Sequence, residues 1–420
     1  MQLSVHRVGD HQVTEHAWDV PLNHSEPGSP GKPGETISVF AREVVLGTKV
    51  GDDLPWLVFL QGGPGFEATR PMGSFGWVNR AAQNYRVLLL DQRGTGRSTP
   101  VDAASIALRG SAEQQTAYLR LFRADGIVRD CEFVRQALGV EQWSVLGQSF
   151  GGFCLLHYLT VFPQSLRNGF FTGGVPPIGR TPDEIYRATY KRQLTRNERY
   201  FDRYPQDVDR IRVILQQLEQ SKVYLPSGDQ LTARRYRTLG HALGMSTGFE
   251  EVHYLVERGL DYWALRGIEN AQKWDTNPIY HVLHESSYAN GHPTQWSAHR
   301  LRAEYPQFDS LEQPFLTGEH VYPWQLEDWQ RLRPFSEVAS LLAEEPWPVL
   351  YDPARLALNT VPCAAAVYTD DPYVERAFSD ETAKEVPGIA VWRTDEHDHD
   401  ALRVVGAPIL DKLFSMVESN

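Results

Sequence analysis

The chain has little sulfur: three cysteines, Cys131, Cys154 and Cys363, and four methionines in 420 residues. Three widely spaced thiols, an odd number, make neither a disulfide framework nor a CxxC metal pattern, so buried thiols in a reducing compartment are expected. No apolar run approaches the ~18 residues that a membrane span requires. The start, MQLSVHRVGDHQVTEH, has no basic segment followed by an apolar core, so no secretory signal is read and a cytoplasmic location is expected. Positive charge is also in short supply. Lys and Arg number 41 against 53 Asp and Glu, a net charge of −12, with no basic cluster. Binding to a phosphate backbone uses clustered Lys and Arg, so the balance argues against nucleic acid as a partner. Oligomeric state leaves no signal in the sequence.

What is present suits a globular protein with a sizeable core: 41% hydrophobic and 22% charged residues. Residues 11–48 alternate polar and apolar positions around the turn-rich NHSEPGSPGKPGE, which predicts antiparallel strands joined by a loop. Then come short apolar runs, LPWLVFL (54–60), YRVLLL (85–90) and WSVL (143–146), of the kind expected in strands buried on both faces. Between them GIVRDCEFVRQALG (126–139) has helical spacing and a closing glycine. FCLLHYLTV (153–161) reads as a buried helix and LRNGFFTGG (166–174) as another strand. From about Ile178 to Leu350 the texture turns to Arg, Gln, Glu, Tyr and Trp with helix-like segments such as DEIYRATYKRQLTRNERYF. Strand signals return at VPCAAAVYTDD (361–371) and GIAVWRTDEHDHD (388–400), and APILDKLFSMVE closes the chain as a helix. Strands alternating with helices predict a mostly parallel sheet covered on both faces. The expected division is a core over 1–177 and 351–420, interrupted by a helical cap over 178–350.

The chemistry gathers in the loops after these strands. Gly147-Gln148-Ser149-Phe150-Gly151 fits a G-x-S-x-G elbow, in which small flanking residues allow a tight strand-to-helix turn that exposes the serine. QGGPG (61–65) follows an earlier strand. It can aim one backbone N–H at a developing oxyanion while the residue after the nucleophile supplies another, which makes Gly63 and Phe150 the candidate donors. No Gly-Lys-Ser/Thr follows it, so a phosphate loop is disfavoured. DQRGTGRSTP (91–100) is a third such loop, where Asp91 and Arg93 are expected to pair and shape the turn. A serine nucleophile needs a base and an orienting acid, in the chain order Ser, acid, His. VYTDDPYV offers Asp370 and Asp371, and DEHDHDALR offers His397 and His399. Neither the HDHD run nor HVLHE (281–285) has metal-site spacing, so neither metal nor cofactor is expected.

Taken together, QGGPG, DQRGTGRS and GQSFGG resemble the HGGPG, DQRGxGxS and GxSxGG loops of the proline iminopeptidase (prolyl aminopeptidase) family of α/β hydrolases, in particular its longer bacterial members. The resemblance spans nearly the whole chain. It implies an α/β-hydrolase fold with a large helical cap, a nucleophile at Ser149, an acid at Asp371 with Asp370 the alternative, and a base at His399 with His397 the alternative. Gln61 stands where many members have histidine, and Phe150 where shorter members have tryptophan. The family holds the substrate's free amine with cap glutamates, which implies Glu285 and Glu319 here, with Glu304 in reserve. Phe66, Tyr322 and Trp324 are the candidates for lining a proline pocket. The function so implied is release of an N-terminal residue, proline foremost, from small peptides with a free N-terminus. An esterase, lactonase or amidase of the same fold is the alternative, since fold and triad do not fix substrate. A binding protein that had lost catalysis is the other; it would carry a disrupted triad.

Overall fold

The computed structural model describes residues 1–25, 28–29, 32–74 and 76–418. Nine strands form one sheet: β1 (Gln2–Val8), β2 (His11–Pro21), β3 (Thr36–Leu46), β4 (Trp56–Leu60), β5 (Arg86–Leu90), β6 (Trp143–Gln148), β7 (Leu166–Thr172), β8 (Cys363–Tyr368) and β9 (Ile389–Thr394). Their order is β1-β2-β3-β5-β4-β6-β7-β8-β9. The first three strands and the β3–β5 pair are antiparallel. From β5 to β9 every pair is parallel. β2 and β3 pair from His11↔Leu46 to Pro21↔Thr36, the hairpin expected from the alternation over 11–48.

The short apolar runs alternate between two cores. Val58, Leu60, Leu88, Leu90 and Val145 enter one; Leu57, Phe59, Val87, Leu89 and Leu146 enter the other. A strand covered on both faces has no polar side to present, which is why these runs are continuously apolar. The first core takes helices α1 (Ala124–Ala137) and α2 (Phe150–Val161). Gly139, at φ 69°, ends α1's chain path where a side chain would be strained.

The chain between β7 and β8 is mainly helical. It opens with α3 (Pro182–Arg203), started by a capping box in which Thr181 and Glu184 each satisfy the other's backbone N–H. A two-stranded ribbon, Val223–Tyr224 with Gln230–Leu231, interrupts the helices. Part of this segment, including Tyr200, Ile211, Leu243 and Leu316, builds its own core, while Tyr186, Leu283 and Trp329 join the core beneath α2. Helix α4 (Ala407–Glu418) covers the opposite face of the sheet through Ile409, Leu413 and Phe414. Among the described residues no helix is long and apolar enough to cross a membrane.

At the end of β5 one expectation is corrected. Asp91 and Arg93 do not pair. Asp91 accepts the backbone N–H groups of Ala68 (3.1 Å) and Arg97 (3.0 Å). Arg93 instead grips Asp130 on α1 with two hydrogen bonds of 2.7 and 2.5 Å. A buried guanidinium and a buried carboxylate satisfy each other best in that planar, two-pronged geometry. Each residue shapes its loop, but with its own partner.

Candidate active site

Strand order fixes where a site can form. The chain runs from β4 to β5 on one side, then crosses to β6 on the other side of β4, so a crevice opens at the carboxyl ends of β4 and β6. The QGGPG loop leaves β4 there, and Ser149 follows β6. The elbow is tight because its glycines leave no alternative. A Cβ on Gly151 would lie 1.9 Å from the Leu60 carbonyl oxygen, and one on Gly147 2.4 Å from that of Gly151. Ser149 itself sits at φ 54°, a region that side chains rarely adopt, and its N–H donates to the Thr172 carbonyl at 2.9 Å. Gly62 packs directly on the serine, since a Cβ there would be 3.0 Å from Ser149 Cβ. Among the described residues, neither the Gly63 nor the Phe150 N–H donates to another protein group, and Phe150 begins helix α2. One such amide is in the loop that shares a cavity with Ser149, and the other opens the helix that follows it, where a helix N-terminus favours negative charge.

The loops after β8 and β9 meet beside it. His399 Nδ1 hydrogen-bonds Asp371 Oδ2 at 2.6 Å, and both residues are buried. Asp371 Oδ1 accepts the N–H groups of Tyr373 (2.8 Å) and Val374 (3.1 Å), which fix the carboxylate. Burial disfavours charge on His399, yet Asp371, by charge and hydrogen bond, raises its pKa above the ordinary histidine value. The alternatives have other work. Asp370 pairs with Arg192 (3.3 Å) and Arg199 (2.6 Å) of α3, tying the acid loop to that helix. His397 meets Trp392 edge-on. The acidic neighbours of His399 are also held: Asp398 by Arg196 at 2.6 Å, Asp400 by the N–H and hydroxyl of Ser246.

Ser149, His399, Gly63, Phe66, Gln61 and Glu319 line one cavity of about 140 Å³. Glu319 arrives from the segment between β7 and β8. Its Oε1 accepts the Tyr280 hydroxyl at 2.9 Å and faces His241 Nε2 at 3.5 Å, while Oε2 faces His284 Nε2 at 3.5 Å. Burial alone would push this carboxyl up; the two imidazoles, through charge and hydrogen bonding, hold it well below the usual carboxylate range. The cavity therefore holds an anion beside the serine.

Glu285 is not brought to this cavity. Its carboxylate accepts the N–H groups of Ser297 (3.1 Å) and Ala298 (2.9 Å) at the start of helix Ser297–Leu301. Trp296 occupies the cap position there and has no acceptor of its own, so Glu285 supplies it from outside. Full burial pushes the Glu285 carboxyl up to about 7, against the pull of those two amides. We expect Glu285→Ala to lower folding stability by about 2 kcal/mol, the scale of orphaning buried amides, read as a drop in thermal midpoint. Glu304 is a surface residue held by Arg187 through contacts of 2.9 and 2.8 Å. Tyr322 and Trp324 stack on each other outside the cavity. Its apolar walls are Phe66, Met245, Trp274, Tyr280 and Tyr373. Of these, Phe66 follows the QGGPG loop and Tyr373 the acid loop; Met245, Trp274 and Tyr280 come from segments with no local signature. His284 belongs to the HVLHE run, whose pattern pointed to nothing. No group of three or more His, Cys, Asp or Glu able to hold a metal occurs among the described residues.

Residues 55–399 match the family model of the alpha/beta hydrolase fold. The chain is 45% identical over 410 residues to a proline iminopeptidase of Aeromonas sobria, a match covering 96% of this chain and 95% of that one. A proline iminopeptidase of Aspergillus aculeatus is 36% identical over 431 residues, covering 98% and 94%. With a probable proline iminopeptidase of Streptomyces coelicolor the likeness is 37% over 116 residues, 28% of this chain and 32% of that one. Near full-length likeness to two such enzymes, on a sheet whose crossover carries the serine elbow, places the chain in the proline iminopeptidase family of α/β hydrolases.

Proposed function

We propose that the protein is a serine aminopeptidase that releases N-terminal proline from small peptides. One observation carries this reading: Ser149, the His399 of the His399–Asp371 pair and the carboxylate of Glu319 line a single small cavity with aromatic walls. Its volume of about 140 Å³ resembles cavities of about 150 Å³ that take one benzene-sized ring. A pyrrolidine ring fits that space, and its secondary ammonium has two N–H donors for the two oxygens of Glu319. Where water is excluded, that charge pairing strengthens. An ester or lactone substrate carries no cation for Glu319 to bind, so the carboxylate would add nothing to its recognition.

The chemistry follows from the positions. His399 takes the Ser149 proton as the hydroxyl oxygen attacks the prolyl carbonyl carbon, and Asp371 holds the imidazole tautomer and stabilises the imidazolium. The Gly63 and Phe150 amides receive the oxyanion. His399 then gives its proton to the leaving nitrogen, the C–N bond breaks, and a prolyl ester remains on Ser149. Water, deprotonated by His399, attacks that ester and frees proline. The helical segment 178–350 acts as a cap that supplies Glu319 and most of the ring pocket.

The direct test compares a proline arylamide with its N-blocked form. Cleavage of the free amine alone is the expected outcome; equal cleavage of both would reduce the reading to a general amidase. Glu319→Gln keeps the shape and removes the charge. It is expected to raise KM for the free-amine substrate roughly 30- to 100-fold, the scale of a charge-assisted contact of about 2–3 kcal/mol. An unchanged KM would remove Glu319 from amine recognition.

A further inference from the structure

The cavity has a cation as well as an anion. Arg403, in the short helix Ala401–Val404 that follows His399, lines it together with Ser149 and Glu319. Arg403 is exposed, whereas Ser149 and Glu319 are part-buried, so the guanidinium marks the solvent side. Many arginines of this chain close on carboxylates, as Arg93 does on Asp130, Arg192 on Glu375 and Arg234 on Asp328. Arg403 has no carboxylate within ion-pair distance among the described residues; its side-chain contact is Met245 Sδ at 3.9 Å. The acids nearest in sequence are occupied, Asp398 by Arg196 and Asp400 by Ser246. Glu319 is turned to Tyr280, His241 and His284. In a chain of net charge −12, an unpaired guanidinium at this cavity calls for an anion from the substrate.

We propose that Arg403 binds the C-terminal carboxylate of short peptides, so that the preferred substrates are zwitterionic di- and tripeptides. This rests on the aminopeptidase reading above. With the prolyl amine at Glu319 and its carbonyl at Ser149, the chain beyond the scissile bond leads out toward the solvent side. One residue spans at most ~3.6 Å, so the carboxylate of a dipeptide stays close to the scissile nitrogen, in the cavity that Arg403 lines. The planar guanidinium matches a carboxylate with two parallel N–H···O bonds, which an amide terminus cannot reproduce. The cavity is thus dipolar in the same sense as the substrate.

The test uses prolylglycine and prolylglycinamide, which differ only at that terminus, with a proline arylamide as the reporter of the underlying activity. In the wild type, kcat/KM is expected to favour the free acid roughly fivefold at low salt, as fits a part-exposed charge-assisted contact. That preference should shrink at about 1 M salt. Arg403→Gln should erase it, and Arg403→Lys should retain part of it, because a point charge remains without the fork. Each enzyme is read by its own acid-to-amide ratio, so leaving-group differences and any change in His399 basicity cancel between wild type and variant. Equal rates on acid and amide by a wild type that cleaves the arylamide would overturn this inference and leave the aminopeptidase reading standing. A preference that survives Arg403→Gln would also overturn it. Failure to cleave the arylamide would overturn both.

Discussion

Ser149→Ala is expected to lower kcat on a proline arylamide by about 10⁵- to 10⁶-fold, the loss typical of removing a serine nucleophile. The chain should fold as before. Alanine takes the same φ of 54° with no greater strain than serine, and among the described residues Ser149 Oγ makes no hydrogen bond whose loss would orphan a buried group. The two measurements to pair are therefore steady-state rate and thermal midpoint. A variant with an unchanged midpoint and no turnover assigns the hydroxyl to chemistry. Retention of more than about 1% of the rate would show that another group performs the attack, because the amides and the binding pocket alone leave far less.

Asp371→Asn is the second large effect, expected at about 10⁴-fold in kcat. The amide keeps the size of the carboxylate, and its oxygen can still accept from Tyr373 or Val374. Toward His399 Nδ1 it loses both the charge and a reliable acceptor, so the imidazole is no longer held in the tautomer that takes the serine proton. The pH profile gives a signature that a merely structural role would not. In the proposed mechanism the His399 base works only when neutral, so activity is expected to fall as pH drops through its pKa, which Asp371 raises. Without that charge the pKa falls, and the acid limb of kcat/KM moves to lower pH while the plateau drops. Asp370→Asn should produce neither change. It would instead loosen the contacts of Asp370 with Arg192 and Arg199. Equal loss in both variants, with no shift of the limb, would remove Asp371 from the relay.

The sequence by itself determined the hydrolase core and the serine elbow, because both are encoded within a few adjacent residues. Continuous apolar runs such as LVFL specify strands with two buried faces, and Gly147 and Gly151 specify the elbow through atoms that would otherwise overlap. The edge strand β1 escaped notice for the complementary reason: nearly all its residues are exposed, so the short alternation of Leu3 and Val5 marks no buried face. Choices between neighbours were less legible. Asp370 and Asp371 differ by one position, and the backbone turn alone decides which carboxylate faces His399 and which faces α3. Only the tertiary structure decided the pocket. Glu319, His241, Trp274, Tyr280 and Tyr373 lie on separate segments with no shared period. Glu285, beside the same kinds of aromatic residues in sequence, is turned away to cap a helix. A catalytic turn is a local backbone shape and can be written in a motif. A pocket is a convergence of distant side chains, set by how the cap packs on the sheet.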